Sequence, residues 1–275
     1  MVIDTHQHFW LYDQTRHDWI DDDMKRIRKN FLPEDLKPVL DKNKIDGCIA
    51  VQADQTEAEN EFLLGLTKKN DFIKGIIGWG DFRSEEIEQK LGYYSEMEII
   101  KGFRHIVQGE PDHNFLLRPD FLNGISKLEK YGFVYEILVF PHQLGAVLEF
   151  VKRFPNQKFV IDHIAKPYIK DGFSEGWKVM MKEIAKCKNV YCKVSGMITE
   201  ADYRTWNYDQ LKPYIEAVLE YFGPERLMFG SDWPVCLVAG EYEQVREIAE
   251  KAVSQFSPSE QKAFWGQNAI EFYKL

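Results

Sequence analysis

Short runs of β-branched and aromatic residues alternate along the chain with longer stretches in which apolar residues recur at helical spacing. The runs that predict strands are residues 2–8, 45–53, 72–80, 100–107, 133–139, 158–164, 190–196 and 226–231. The stretches that predict helices follow them, at residues 33–43, 57–70, 84–97, 118–131, 141–154, 177–188, 209–222 and 241–256. The helical period is plain in one apolar stripe, formed by Leu144, Leu148, Val151 and Phe154.

Strict alternation of strands and helices predicts a parallel sheet whose strands are joined by right-handed crossovers. Eight such units close into a (β/α)8 TIM barrel, and 275 residues match the size of that α/β fold. An open, doubly wound sheet is the rival arrangement, but it normally has fewer strands and a glycine-rich first turn. No low-complexity stretch or linker divides the chain, so residues 1–275 are predicted to form a single domain.

Polar residues interrupt the first and the last predicted strand. Side chains alternate between the two faces of a strand, so His6 and His8 share a face with Asp4. The last strand ends in the polar sequence Gly-Ser-Asp, which contains Asp232. If the first and last strands are neighbours in a closed barrel, two imidazoles and one carboxylate converge. This grouping favours a hydrolytic or lytic enzyme that activates a water molecule or binds a divalent metal.

Further polar residues lie near the carboxyl ends of other predicted strands, where barrel enzymes build their active sites. They are Arg104, Glu136, His163, Lys166 and Lys193. His105 has the opposite strand parity to Arg104, and we expect Arg104 to be the one that points inward. Asp162 has the opposite parity to His163 and is therefore interpreted as structural.

Two long segments, residues 9–31 and 199–208, leave the carboxyl ends of the first and seventh strands and are rich in aromatic residues. They are expected either to form a lid or pocket wall or only to cap the barrel, and the sequence leaves both open. Trp206 is the candidate substrate contact in the second segment.

The chemistry of the converging residues leaves two mechanisms open. One divalent metal, with zinc favoured, would be held by His6, His8 and Asp232, with Glu136 or His163 as a further ligand. Without a metal, Asp232 would act as a general base on water while the histidines, including His163, polarise a substrate carbonyl.

Composition excludes several classes of function. A net charge of -9 with no basic run argues against a nucleic-acid-binding surface, and no stretch approaches the roughly 20 apolar residues of a membrane span. The chain opens on a predicted strand, so no signal peptide is expected. The four cysteines lack CxxC spacing, which predicts reduced thiols in a cytoplasmic protein. The expected partners are a small-molecule substrate and, where the chain self-associates, its own copies in a homo-oligomer.

With these residues in place, the chain resembles the amidohydrolase superfamily, in the branch called amidohydrolase family 2. The resemblance runs from Asp-Thr-His-Gln-His at residues 4–8 to Gly-Ser-Asp-Trp-Pro at residues 230–234 and covers nearly the whole chain. Further segments look like the sugar-lactonase group of that branch, namely residues 31–36, 102–105 with Gln108 and Glu110, 162–167 and 191–196.

The resemblance implies hydrolysis of an aldonolactone, similar to a fuconolactone or rhamnonolactone, to the open acid. It implies that Asp232 deprotonates the attacking water. The residues implied to polarise the lactone carbonyl, directly or through a metal, are His6, His8 and His163. Those implied to hold ring oxygens or the product carboxylate are Arg104, Lys166 and Lys193. Members with two metals usually carry a carboxylated lysine on strand four or five, and no inward lysine occurs there, so one metal or none is expected.

Two alternatives to a lactonase remain. The same branch contains metal-dependent decarboxylases of small aromatic or semialdehyde acids, which resemble this chain at His6, His8 and Asp232. They typically carry a histidine near the position of Glu136, and its absence favours hydrolysis. A non-catalytic barrel that serves binding or assembly is the third reading, but it predicts the loss of a polar residue at one of the strand ends, and none is missing.

Overall fold

Eight parallel strands lie in chain order in the computed structural model of the protein, which describes residues 1–172 and 175–275. The strands are β1 (Ile3–Gln7), β2 (Gly47–Val51), β3 (Ile73–Gly78), β4 (Ile100–His105), β5 (Val134–Ile137), β6 (Phe159–Ile161), β7 (Val190–Val194) and β8 (Leu227–Phe229). Each strand lies inside one of the ranges predicted from the sequence, so the barrel is confirmed in the number and order of its strands. Every predicted range extends further at the carboxyl end, where the backbone leaves the sheet.

Helices follow the strands and pack around them. They are α1 (Pro33–Lys42), α2 (Glu57–Thr67), α3 (Ile87–Ser95), α4 (Pro119–Ile125), α5 (Leu128–Tyr131), α6 (Leu144–Arg153), α7 (Glu175–Ile184), α8 (Tyr208–Phe222), α9 (Tyr242–Ala252), α10 (Pro258–Lys262) and α11 (Asn268–Tyr273). The predicted helix 118–131 is two helices, because the Ser126 hydroxyl donates to the Asn123 carbonyl at 2.6 Å and competes with the helical ladder. Among the described residues, no helix is long and apolar enough to cross a membrane.

The barrel closes where the chain beyond β8 meets β1. Gln7 and Trp233 form a parallel bridge, the His8 amide donates to the Trp233 carbonyl at 2.7 Å, and the Asp232 amide donates to the His6 carbonyl at 2.8 Å. Gly230 permits this approach, since a Cβ atom there would lie 2.8 Å from the Cβ of His6. The closure places the histidines of β1 beside Asp232, as the sequence predicted.

The Asp4 carboxylate stabilises this closure from below. Its oxygens accept hydrogen bonds from the amides of Ser231 and His6, at 2.9 and 3.1 Å, and from the Tyr242 hydroxyl of α9 at 3.0 Å. Burial raises the pKa of Asp4 to about 6, although these hydrogen bonds oppose the rise. One side chain therefore joins the first strand, the segment after the last strand and a helix.

Side chains on the two faces of the strands enter two different cores. The inner core joins strand residues to the C-terminal helix and consists of Ile3, Ile49, Val51, Ile77, Val134, Val160, Met228, Ala269, Phe272 and Tyr273. The outer core between strands and helices is rich in edge-to-face aromatic pairs, such as Phe82 with Phe103 and Tyr135. Since α11 fills the amino end of the barrel, the carboxyl end is left for polar side chains.

The connection from β2 to α2 is held by a buried carboxyl group. Glu59 of α2 accepts a hydrogen bond from the Ala53 amide at 3.0 Å, and an Arg16 nitrogen lies 3.5 Å from its second oxygen. Burial raises the pKa of Glu59 to about 7, with the nearby Asp54 charge adding to the rise. The folded protein therefore retains a proton that the unfolded chain releases near the ordinary glutamate pKa.

This retained proton predicts a pH-dependent difference in stability between the native chain and Glu59→Gln. Because the folded pKa is raised, the stabilisation from Glu59 is fully present below about pH 4.5 and is lost as the pH rises through about 7. The free energy of unfolding of the native chain, relative to Glu59→Gln, should fall by ~3 kcal/mol over that window. Urea denaturation at several pH values measures it, with Glu61→Gln on the exposed side of α2 as matched control. A difference that is constant or rises with pH would contradict the expectation.

Candidate active site

His8 lies at the carboxyl end of β1, and its orientation is set by a backbone carbonyl. Its Nδ1 atom lies 2.8 Å from the Val51 carbonyl oxygen, which can only accept, so Nδ1 carries the proton. In the neutral imidazole this leaves a lone pair on Nε2, which faces Oδ1 of Asp232 at 3.4 Å. A hydrogen bond behind the ring thus prepares Nε2 as a ligand or acceptor.

Asp232 is positioned by a left-handed backbone turn directly after β8. Its φ of 58° is uncommon for a residue other than glycine. Backbone bonds hold the turn, because the Asp232 amide donates to His6 and its carbonyl accepts from Cys236, both at 2.8 Å. Burial opposes ionisation of the carboxyl group, but His163 and His8 outweigh burial and lower its pKa. Asp232 is therefore an ionised, nearly buried carboxylate at neutral pH.

His163 is carried by a run of four residues in the left-handed region, His163 to Lys166, with φ between 45° and 59°. Such conformations cost roughly 1–2 kcal/mol per residue, so the surroundings must hold them. The Trp177 indole donates to the Ile164 carbonyl at 2.9 Å, and the Lys166 amide donates to the His163 carbonyl at 2.8 Å. The turn brings Nε2 of His163 to 3.7 Å from Oδ1 of Asp232.

The same turn corrects the face that parity assigned to Asp162, while its buried contacts agree with a structural role. Strand β6 ends at Ile161, so the alternation of faces stops before Asp162 and both Asp162 and His163 point into the barrel. Asp162 is fully buried beside His6, with Oδ1 3.3 Å from Nδ1. Burial disfavours its ionisation, yet Lys193, His6 and Arg104 hold its pKa well below the usual range.

Arg104 points inward from β4, as predicted, while His105 stacks on Phe115 outside the barrel with ring centroids 4.7 Å apart. One guanidinium nitrogen of Arg104 lies 3.1 Å from Asp162 and 3.2 Å from Nε2 of His6. The other donates to the Gln52 carbonyl at 2.6 Å. Burial lowers the pKa of His6 well below its ordinary value, so this imidazole is neutral between its charged neighbours.

Lys193 and Glu136 lie deeper in the barrel than the sequence suggested. The Lys193 ammonium lies 2.6 Å from Oε1 of Glu136, 3.1 Å from Oδ1 of Asp162 and 3.1 Å from Nδ1 of His6. The Tyr273 hydroxyl of α11 also donates to Glu136 Oε1, at 2.6 Å. Burial raises the pKa of Glu136 to about 7, and the Asp162 charge adds to the rise. Glu136 therefore contacts Lys193 and Tyr273 and is not brought to His8 and Asp232.

A cavity of about 550 Å³ opens above His8, Arg104, His163 and Asp232. Both long segments contribute to its wall, so the pocket-wall interpretation fits them better than capping alone. The wall residues from residues 9–31 and 199–208 are Arg16, Asp18, Trp19, Met24, Thr199, Glu200 and Tyr203. Most of these residues could not be identified from the sequence, because nothing distinguishes them except that they lie in segments that follow a strand.

Lys166 lines this cavity. Lys193 and Trp206, which the sequence also offered as substrate contacts, are not among the lining residues described. The Lys166 ammonium lies 3.0 Å from Glu200 and 5.3 Å from the centre of the Phe140 ring. Lys193 is fully buried beneath the floor. The Trp206 indole donates to the Ala239 carbonyl at 2.8 Å, away from the described lining of the cavity.

The residues around Asp232 fit a divalent metal. Nε2 of His8 and Oδ1 of Asp232 face each other at 3.4 Å, and a neutral His8 with its proton on Nδ1 would place two acceptors there, which repel unless a cation or proton lies between them. Donor atoms of His6, His8 and Asp232 all lie within 4.8 Å of one another, and all three residues are buried. Two imidazoles and a carboxylate form a ligand set that suits zinc.

A (β/α)8 barrel whose mouth carries two histidines and an ionised carboxylate, with a third histidine buried directly beneath, is typical of a class of hydrolytic and lytic enzymes. The family model described as amidohydrolase matches residues 3–275, and the chain belongs to this family. It is 36% identical to an L-fucono-1,5-lactonase of Burkholderia multivorans, over 99% of this chain and 96% of that protein. The crystal structure of an amidohydrolase from Burkholderia multivorans with bound zinc superposes with a TM-score of 0.96 at 35% identity, covering 100% of this chain and 99% of that chain.

A decarboxylase shares the fold at a greater distance. The crystal structure of a dihydroxybenzoic acid decarboxylase from Polaromonas sp. JS666, with manganese and an inhibitor, has a TM-score of 0.72 and 14% identity. It covers 100% of this chain and 97% of its own. At that identity the likeness concerns the fold alone, whereas the similarity to the lactonase extends through the sequence.

His163 depends on the absence of a side chain at Gly196, which predicts the effect of a single methyl group. Gly196 has a φ of +62°, and a Cβ atom there would lie 2.5 Å from Nδ1 of His163. That ring atom also lies 2.9 Å from the Ser195 hydroxyl. Gly196→Ala should displace the imidazole and lower kcat/KM by on the order of 100-fold.

The matched control is Gly145→Ala in α6, where an added Cβ meets no atom within 4 Å. It should leave kcat/KM unchanged and slightly raise the melting temperature, because alanine favours a helix over glycine. Steady-state kinetics on both folded variants decide the point. Unchanged kcat/KM in Gly196→Ala would contradict the role given to the position of His163.

Proposed function

We propose that the protein is a lactonase that opens a small sugar lactone, an aldonolactone, to the corresponding aldonic acid. The observation that carries the proposal is the ionised Asp232 carboxylate beside three imidazoles, on the floor of a cavity large enough for a sugar ring. The wall offers carboxylate, amide, ammonium and hydroxyl groups, which suit a polyhydroxylated substrate. The full-length similarity to an L-fucono-1,5-lactonase makes L-fucono-1,5-lactone the first substrate to test.

Asp232 acts in this proposal as the general base. Its Oδ1 faces the imidazoles of His8, His163 and His6 at 3.4, 3.7 and 3.9 Å, so Oδ2 is the oxygen left for a water molecule. Asp232 takes a proton from that water as its oxygen bonds to the lactone carbonyl carbon. The ring C–O bond then breaks, and the protonated Asp232 returns the proton to the leaving ring oxygen. The product is an open acid that ionises at neutral pH.

The imidazoles stabilise the negative charge that develops on the carbonyl oxygen. His163 is suited to this because its Nε2 lines the cavity while Ser195 bonds the opposite nitrogen at 2.9 Å. A donor held in place before the reaction lowers the barrier more than a mobile one, since no reorganisation is needed when charge appears. The left-handed turn and Gly196 supply that rigidity.

A divalent metal, zinc being the ion found in the similar crystal structure, would be held by His6, His8 and Asp232. When bound, it supplies a Lewis acid that polarises the lactone carbonyl and makes a water molecule more acidic. The protein's own groups still orient the substrate, because the cavity wall and His163 lie outside this ligand set.

Arg104 and Lys166 are proposed to bind the substrate's ring oxygens and the product carboxylate. Both are cations that line the cavity, and a carboxylate forms there only after the ring opens. Lys166 lies 3.0 Å from Glu200, and both side chains line the cavity, where a ligand that enters can take the place of Glu200 as partner of the ammonium. Lys193 is proposed to act only indirectly, from beneath the floor. The single domain, the absence of nucleic-acid or membrane partners, and self-association remain predictions.

The proposal predicts acid release from aldonolactones that depends on Asp232. A panel of 1,4- and 1,5-lactones, beginning with L-fucono-1,5-lactone, is followed with a pH indicator against the spontaneous rate. Asp232→Asn keeps the shape of the side chain but cannot accept the proton, so kcat should fall by roughly 10²–10⁴-fold. Asp71→Asn is the matched control, since Asp71 is exposed and precedes β3 at the opposite end of the barrel.

Each outcome of this assay bears on the proposal. Hydrolysis of one or two stereoisomers, lost in Asp232→Asn and kept in Asp71→Asn, supports it. No acid from any lactone, with the native protein folded, overturns it and directs attention to decarboxylation. That alternative is measured as carbon dioxide release from small aromatic and semialdehyde acids.

A further inference from the structure

A second group of possible metal ligands lies one layer below the floor of the cavity. His6, Glu136 and Asp162 each direct a donor atom toward a common point, with these atoms within 4.8 Å of one another. All three residues are fully buried and come from β1, β5 and the turn after β6. The group shares only His6 with the site formed by His6, His8 and Asp232.

The Lys193 ammonium fills this lower position. It lies 2.6 Å from Oε1 of Glu136 and 3.1 Å from both Oδ1 of Asp162 and Nδ1 of His6. Within the described residues it thus contacts an atom of every member of the group. The four methylenes of Lys193 reach the point from β7, so the cation is covalently attached and cannot dissociate.

Two carboxylate oxygens in the group keep unused acceptor capacity. Oε2 of Glu136 and Oδ1 of Asp162 are buried, and neither has an aligned hydrogen-bond partner among the described residues. Oδ1 of Asp162 has Lys193 at 3.1 Å and Nδ1 of His6 at 3.3 Å, both close contacts without hydrogen-bond alignment. Buried oxygens normally have hydrogen-bond partners. These two oxygens therefore show that the group of His6, Glu136 and Asp162 contains more acceptors than the Lys193 ammonium satisfies.

We propose that Lys193 is a built-in cation that occupies a latent metal position among His6, Glu136 and Asp162, and so confines any divalent metal to His6, His8 and Asp232. The charge of Lys193 then compensates the carboxylates of Glu136 and Asp162 whether or not a metal is bound by His6, His8 and Asp232. Nδ1 of His6 faces Lys193, whereas Nε2, the nitrogen nearer Asp232, faces the upper site, where a guanidinium nitrogen of Arg104 at 3.2 Å would have to give way to a metal.

The charges in the barrel favour the same conclusion. Lys193 and Arg104 are the cations that contact this layer, and they face Glu136 and Asp162 at ion-pair or hydrogen-bond distances. A divalent ion added to the lower position would lie within reach of both cations and would be repelled at low dielectric. Removing the Lys193 charge removes the nearer source of repulsion and exposes the two carboxylates.

The test separates the two positions by deleting the upper one. In a background of His8→Ala with Asp232→Asn, two of the three upper ligands are gone, and bound zinc should fall well below one per chain. Adding Lys193→Ala to that background should restore about one zinc per chain, measured by metal analysis after dialysis against buffered zinc. A zinc-dependent rise in melting temperature should return with it, because a ligand that binds only the folded state stabilises that state.

Two further variants test the location. Lys166→Ala in the same background removes another carboxylate-paired lysine and should restore no zinc, since Lys166 pairs with Glu200 and, among the described residues, forms no ion pair with Glu136 or Asp162. Adding Glu136→Gln to the Lys193→Ala variant should abolish the restored zinc. Because zinc is counted directly, the result is independent of the substrate and of the lactonase proposal.

The proposal is overturned if the folded variant with Lys193→Ala binds no more zinc than its background, or if the restored zinc survives Glu136→Gln. If the Lys193→Ala variant does not fold without metal, refolding in zinc decides the matter. Recovery of cooperative unfolding supports a latent metal position, and no recovery overturns it.

Discussion

The closure of β1 against the segment after β8 is the constraint on which the candidate site depends. His6 and His8 come from one end of the chain and Asp232 from the other, and only closure makes them neighbours. The buried Asp4 carboxylate holds this contact, with donors from Ser231, His6 and Tyr242. Burial of the Asp4 carboxylate costs free energy of desolvation, and this cost raises its pKa. The three donors offset that cost, and through them Asp4 holds the first strand against the segment after the last.

Below the mouth, the barrel holds a layer of opposite charges that are nearly excluded from water. Arg104 and Lys193 lie among Asp162 and Glu136, and each carboxylate contacts at least one cation. Removing one member of such a buried network leaves the rest uncompensated, so the network is costly to disrupt. His6 joins this network to the mouth, because it belongs to the layer and also faces Asp232. The layer therefore orients His6, while Arg104 at its upper edge also lines the cavity and Asp232 lies above it.

Much of this arrangement could be predicted from the sequence, because strand periodicity and the order of elements are local signals. The eight strands, the barrel and the convergence of His6, His8 and Asp232 followed from them. The face of Asp162 was wrongly predicted, since alternation ends with β6 and a left-handed turn places consecutive residues on one side. Parity also gives the face of a residue but not its depth, so Lys193 and Glu136 were expected at the mouth and lie beneath it. The cavity wall depends on loop conformation, for which the sequence has no periodic signal.

The central claim is that Asp232 activates water and does not itself attack the lactone. The most direct measurement is a single turnover in ¹⁸O-labelled water with enzyme in excess, followed by mass analysis of the acid and of the peptide containing Asp232. General-base catalysis predicts that the acid carries one ¹⁸O after the first turnover while Asp232 stays unlabelled. Unlabelled acid together with ¹⁸O in the Asp232 carboxyl group would show that this carboxylate forms an anhydride with the substrate, and would contradict the claim.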